Sequence, residues 1–189
     1  QPDTLGLGHA VLCAQPLINN EAFAVLLADD LIDSTIPCLK QMLAIYQEKQ
    51  STIIAVQATS PEESEQYGII GYKVKTGRLS QINNIIEKPS HKEAPSNLAV
   101  VGRYILNSTI FPYLSTTAVG KGGEIQLTDA IARQLQDEIM HAWEFEGVRY
   151  DCGSKLGYLK ATIAFALKHP ETKKPFTNYL KNFNTNSII

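Results

Sequence analysis

Cysteine is scarce in this 189-residue chain: Cys13, Cys38 and Cys152 are odd in number and far apart. That excludes a disulfide framework and matches no zinc-ligand spacing, so reduced thiols in a cytoplasmic protein are expected. An excess of one charge is also missing. Seventeen basic against 19 acidic residues leave a formal charge of −2, which argues against a nucleic-acid partner and leaves room only for a local basic pocket. No apolar run approaches the roughly 18 residues that span a bilayer. No basic-then-apolar signal peptide opens the chain, so no membrane partner is expected. Internal repeats and low-complexity tracts are absent. The length suits one α/β domain better than two. The opening Gln1-Pro-Asp-Thr carries no initiator methionine and runs straight into structured-looking sequence. The expectation is a piece of something longer.

What is present is a strand that ends in acid. Phe23-Ala-Val-Leu-Leu-Ala-Asp29-Asp30 is apolar without alternation, then stops at two carboxylates. Such a run reads as a strand buried on both faces of a covered α/β sheet. Ligands of open α/β sheets bind outside the carboxyl ends of the strands. Paired hard oxygens at that point suit Mg²⁺ carrying phosphates. The plainer alternative, that Asp30 or Asp33 caps the helix beginning near Ile36, stands beside it.

Ahead of that strand, Leu5-Gly6-Leu-Gly8-His-Ala-Val-Leu-Cys-Ala14 sets two glycines at the mouth of a helix. Backbone amides there can approach an anion; turn glycines are the alternative. His9 reads as a packed helix residue or a ligand contact. Pro37 to Lys49 is an amphipathic helix with Leu39, Met42, Leu43 and Tyr46 as core. Thr52-Ile-Ile-Ala-Val is a second buried strand, and Ser60-Pro-Glu-Glu63 a capping box. A hairpin follows, turning at Thr76-Gly77, and Gly68 at its start permits close approach of a ligand to the main chain.

The hairpin runs into Glu87-Lys88-Pro89. On an extended segment these two charged neighbours point to opposite sides. One reading is a carboxylate taking sugar hydroxyls beside an ammonium taking a phosphate; the other is two solvated charges. Leu98 to Leu106 is a further buried strand, interrupted by Gly102, and a short helix spans 108–114. The glycine loop Val119-Gly-Lys121-Gly-Gly123-Glu124 enters a helix near Thr128 and Asp129. Its spacing is not G-x-x-x-x-G-K-[ST], which excludes a P-loop. Asp129 is either a helix-start charge or a second metal ligand. Residues 140–146 read as a strand, Tyr150-Asp151-Cys-Gly153-Ser as a tight loop, and 156–168 as a helix ended by Pro170. The domain is thus read as 1–170. The polar tail 171–189, set with Phe176, Tyr179, Leu180 and Phe183, reads as a helix packed on the domain or on a neighbouring subunit.

Together these segments resemble the sugar nucleotidyltransferase family, in particular its bacterial UTP–glucose-1-phosphate uridylyltransferases. The wording agrees in order along most of the chain: Gly6-Leu-Gly-His-Ala-Val, Phe23 to Asp30, Tyr67-Gly68, Ile86-Glu-Lys-Pro, Leu98 to Leu106, Gly122-Gly-Glu-Ile-Gln-Leu-Thr-Asp-Ala-Ile and Arg149-Tyr-Asp-Cys-Gly-Ser-Lys. The resemblance implies a Rossmann-like mixed α/β sheet, incomplete at its N-terminal side. It also implies UDP-glucose and pyrophosphate made from UTP and glucose 1-phosphate. Carried over residue by residue, Asp29 holds Mg²⁺ and is catalytic with Lys88, which takes the sugar phosphate. Gln1 with Gly6 or Gly8 lies near the uridine, and Gly68, Glu87 and Gly102 surround the glucose. Asp129 is a second metal or phosphate-side carboxylate, and Asp151 a further substrate contact. The chain departs from the family in having neither the G-x-G-T-R loop nor the lysine that follows it. A fragment inactive alone is therefore expected, with an exposed apolar edge that favours a homo-oligomer. Three alternatives remain. One is a related enzyme of other base or sugar preference, another a non-catalytic module on the same fold. The third, a metal-dependent glycosyltransferase, would usually show Asp-x-Asp.

Overall fold

Runs that read as apolar strands in the sequence do form them, and the shorter strands between are more polar. The elements in chain order are α1 Leu7–Cys13, β1 Phe23–Leu26, β2 Asp30–Asp33, α2 Cys38–Lys49, β3 Ile53–Ala58, β4 Gly68–Thr76, β5 Leu79–Glu87, β6 Leu98–Leu106, α3 Ile110–Ser115, α4 Leu127–Gln134, β7 His141–Glu144, β8 Val148–Asp151, α5 Lys155–Ala166 and α6 Pro170–Lys181. The computed structural model describes residue 1 and residues 3–183. The final Asn184 to Ile189 of the expected tail helix lie outside the described residues. The chain forms two units: Gln1–Leu27 with Ser34–Gly147, and Ala28–Asp33 with the residues from Val148 onward. Among the described residues no helix is long and apolar enough to cross a membrane.

The first unit is built on a six-stranded mixed sheet of order β1-β6-β3-β7-β5-β4, with a further pairing of β4 to β6. β3 and β7 run parallel; the other pairings described are antiparallel. Because β4 reaches both β5 and β6, the pairings from β3 through β6, β4, β5 and β7 return to β3. β6 is the centre of this arrangement. One of its edges carries β3. The other carries β1 against Arg103 to Leu106 and β4 against Leu98 and Ala99. Leu27 extends β1 by donating to Gly102 O (2.9 Å). The carboxyl end of β1 and the amino end of β4 thus arrive at neighbouring positions on one strand.

Alternation sorts the two faces of the sheet. Ile54, Val56, Val100, Tyr104 and Leu106 share a core with Val11, Ile110, Phe111, Leu127 and Ile131 from α1, α3 and α4. Ile53, Ala55, Val101 and Ile105 are equally buried on the opposite face, where α2 packs on β3 and β6. Each fully buried side chain of this size is worth about 1.5–3 kcal/mol. Cys38 lies on the α2 side, and burial pushes its thiol up to about 11, an inert structural cysteine.

Two expectations change here. The apolar run predicts β1 buried on both faces, yet Leu26 is 52 % exposed and the strand alternates half-buried with exposed. Phe23 stacks on Phe111 at 5.3 Å, but Ala24 and Leu26 face the side on which α2 covers β3 and β6. Leu43, read as core, is 45 % exposed. The buried stripe of α2 runs instead through Cys38 and Met42. Gln41, unmarked by hydrophobic spacing, does more for this helix. Its Nε2 donates to Ile36 O (2.7 Å) and Glu146 O (2.9 Å), and its Oε1 accepts from Trp143 Nε1 (3.2 Å) and Glu146 N (2.8 Å).

The second unit pairs β2 antiparallel with β8; α5 packs on β8 and α6 on α5. The Ser154 hydroxyl caps α5 by accepting from Gly157 N (3.0 Å). Pro170, read as the end of α5, begins α6 at the position where a missing amide costs nothing.

Two measurements check this account. Leu98, 2 % exposed, sits where β6 meets both β3 and β4, so Leu98→Ala is expected to destabilise by about 2–5 kcal/mol in chemical denaturation. His141 accepts or donates a 2.8 Å bond with Ser51 Oγ. Burial, then the Lys49 charge, holds its imidazole below the ordinary 6.5. Unfolding releases a more basic group, so the stability tied to a neutral His141 is complete above 6.5 and lost as pH falls below it. The stability margin of the parent over His141→Gln is expected to shrink from pH 8 to pH 5.

Candidate functional site

In the first unit, hairpin pairing sets Gly68 directly opposite Glu87. With no side chain at 68, the Glu87 carboxylate and Thr128 close over the same space: a Cβ there would lie 3.2 Å from Glu87 Oε2 and 3.5 Å from Thr128 Oγ1. Thr128, the second residue of α4, donates to Glu87 Oε2 at 2.7 Å. Glu87 and Lys88, with Glu65, Ile86, Pro89, Ser90 and Glu93, line a cavity of about 620 Å³. That volume suits a small ligand.

Lys88 departs from the extended geometry read for it. Its φ is 45°, a left-handed conformation that non-glycine residues rarely adopt. Its amide donates to Tyr67 O (3.0 Å). The turn cancels the strand alternation, so Glu87 and Lys88 do not point to opposite sides: Lys88 Nζ lies 3.9 Å from Glu87 Oε1. Both charges therefore serve one cavity.

The glycines of the α1 entry are explained first by packing. A Cβ at Gly6 (φ +97°) would lie 2.7 Å from Glu124 Cβ, and one at Gly8 2.6 Å from Ile125 O. The Gly8 amide donates to Ile125 O (2.9 Å) and Ile125 N to Leu5 O (2.8 Å). Gln1 Nε2 donates to Gly6 O (3.2 Å) and reaches His9 Nδ1 (3.0 Å), while His9 Nε2 lies 3.8 Å from Cys13 Sγ. His9 is thus engaged on both ring nitrogens. Gly102 is buried in β6, its carbonyl accepting from Leu27 N (2.9 Å) and Arg103 Nη1 (2.7 Å). Asp129 lies in the first turn of α4, its Oδ2 2.6 Å from where a Cβ on Gly120 would be. Burial holds its carboxyl above the ordinary range.

The second unit gathers the remaining acids. Asp29 Oδ2 and Asp151 Oδ1 both face Gly153, lying 3.2 and 3.1 Å from the Cβ position there. The Asp29 carbonyl accepts from Cys152 N (2.7 Å), and Asp151 Oδ1 from Gly153 N (3.0 Å). Asp30 has a different use from both roles read for it: it is 5 % exposed and ion-paired with Arg149. The Arg149 guanidinium also reaches Asp151 Oδ2 (3.5 Å). A Cβ on Gly157 would fall 1.8 Å from Asp151 O, so only glycine lets α5 start this close. Among the described residues no group of three or more His, Cys, Asp or Glu forms a metal cage. Two convergent carboxylates do suit a hard cation that keeps waters and phosphate oxygens as its other ligands.

Neither Thr128 nor Arg149 has a role legible from the sequence: Thr128 marks only a helix start, and Arg149 sits on a four-residue strand.

Comparison with known proteins follows the same lines. A family model described as nucleotidyl transferase matches residues 1–166. The UTP–glucose-1-phosphate uridylyltransferase of Staphylococcus epidermidis is 44 % identical over 184 residues, 97 % of this chain and 64 % of that protein. A crystal structure of UDP-glucose pyrophosphorylase complexed with UDP-glucose superposes with a TM-score of 0.85 at 46 % identity, covering 88 % of this chain and 64 % of the other. The UTP-bound enzyme from Acinetobacter baumannii gives 0.87 at 39 % identity, covering 96 % and 64 %. The chain thus spans 64 % of the length of these relatives. With a family model covering all but its last residues, and a mixed sheet of the same fold beneath, the chain belongs to the nucleotidyl transferase family.

Proposed function

We propose that this chain supplies the sugar side and one acid pair of a UTP–glucose-1-phosphate uridylyltransferase, an enzyme making UDP-glucose and pyrophosphate. The observation that carries the reading is Glu87 beside Lys88 in one cavity, a hydroxyl acceptor next to a phosphate-binding cation. The names of the relatives support the same substrates.

In the proposed reaction, a phosphate oxygen of glucose 1-phosphate attacks the α-phosphorus of UTP. The bond from that phosphorus to the β-phosphate oxygen breaks, and pyrophosphate leaves. No covalent enzyme intermediate is needed, so the protein's share is positioning and charge neutralisation. Glu87 accepts from glucose hydroxyls, its carboxylate seated over the bare main chain of Gly68. Lys88 holds the sugar phosphate against the attacked phosphorus. Gly102 borders the sugar, and Gln1 with the Gly6–Gly8 turn borders the uridine. Asp29 and Asp151 would hold Mg²⁺, which when bound neutralises the phosphate oxygens; Asp129 is a phosphate-side carboxylate.

Calorimetry with UDP-glucose, UDP-galactose and dTDP-glucose, with and without Mg²⁺, tests the proposal. UDP-glucose is expected to bind preferentially, Glu87→Gln to weaken it about tenfold, and Asp29→Asn to abolish the Mg²⁺-dependent part. Indifference to Glu87→Gln, or equal binding of all three nucleotides, would defeat it.

A further inference from the structure

We infer that Thr128 is a positioning residue. Its hydroxyl fixes the Glu87 carboxylate in the orientation that accepts a sugar hydroxyl, and so sets the affinity for the sugar rather than for the nucleotide. This rests on the functional reading above, and it assigns a role to a residue that reading does not use.

The terminal torsion of a glutamate is soft, and Glu87 is the last residue of β5, where strand packing no longer restrains its end. Two groups restrain it instead. Thr128 Oγ1 donates to Oε2 at 2.7 Å, and Lys88 Nζ stands 3.9 Å from Oε1. The Thr128 contact is shielded, for that residue is 8 % exposed and the Glu87 side chain 14 % exposed. A shielded hydrogen bond to a charged acceptor is among the stronger ones available to a protein. The hydroxyl has a single proton. Spent on Glu87, it cannot also be donated to a ligand, so Thr128 acts through the carboxylate. Gly68 completes the arrangement from the other side. A Cβ at 68 would lie within 3.2 Å of Oε2 and 3.5 Å of both Thr128 Oγ1 and Thr128 Cγ2. The bare glycine leaves Oε2 room that a Cβ would crowd.

Thr128→Val keeps the shape and removes the proton. The expected result in calorimetry is a UDP-glucose affinity lowered about tenfold with UDP affinity unchanged, and Thr128→Ser restoring most of the loss. In a Glu87→Ala background, Thr128→Val is expected to add nothing, because no carboxylate remains to be held. Equal weakening of UDP and UDP-glucose, or full additivity with Glu87→Ala, would overturn the inference and reduce Thr128 to a structural tie between α4 and β5. A crystal structure of Thr128→Val separates the two readings. Glu87 unmoved there sinks the positioning role whatever the ligand does. Glu87 released, in a protein whose parent binds no UDP-glucose, sinks the functional reading and leaves the positioning role standing.

Discussion

The first unit hangs on β6 being hydrogen-bonded along both edges. Every amide and carbonyl of a buried strand has to find a partner. β6 satisfies this by taking β3 on one side and, on the other, β1 and β4 in succession. That succession is what makes a site possible. Two strands that share an edge cannot both continue, so one must end where the other begins, and the chain turns away at Leu27 and arrives at Gly68. The end of β1 and the start of β4 thus lie beside the same stretch of β6. The helices α1, α3 and α4 cover the face of this sheet with apolar side chains, and α4 also brings Thr128 to Glu87.

Each unit holds a carboxylate in place, and the two do so by different physics. Glu87 is held by a neutral hydroxyl and a distant ammonium, a light restraint suited to a group that must itself accept bonds from a ligand. Asp151 is held by a backbone amide and by Arg149, which is in turn committed to the buried Asp30. A buried ion pair is weak as a source of stability, because desolvation offsets most of the attraction. It is strong as a constraint on geometry, since neither partner can leave without stranding a charge. Asp30 thus anchors the arginine, and the arginine steadies its neighbour's carboxylate.

What was legible in the sequence follows from how far each signal reaches. β3 opens on an apolar run and β6 on another that only Gly102 and Arg103 interrupt, and such runs read as strands buried on both faces. The hairpin β4–β5 shows in its turn dipeptide and alternation. β2 and β8, by contrast, are four residues each and carry two charged residues apiece, and only their pairing with one another makes them strands. Glu87 and Lys88 were visible as a pair, but their relative direction was not, because it depends on one backbone torsion that local sequence argues against. Leu43 misled because helical spacing gives a stripe without saying where the neighbouring strands end. Thr128 and Gln41 were invisible for a common reason: a single side chain that satisfies a distant partner has no periodicity.

The left-handed turn at Lys88 has a consequence for the entropy of recognition. Holding a non-glycine residue at positive φ costs about 1–2 kcal/mol, and here it immediately precedes a proline, which narrows the available backbone further. That conformational work is done when the protein folds, with the Tyr67 carbonyl and the hairpin keeping the turn in place. A ligand therefore meets a main chain already bent to the shape that brings acid and base to one wall. Only the lysine's flexible stem is left to be ordered on contact. Such a residue behaves less like a charge on a tether than like a charge on a bracket, and its selectivity resides in the backbone as much as in the ammonium.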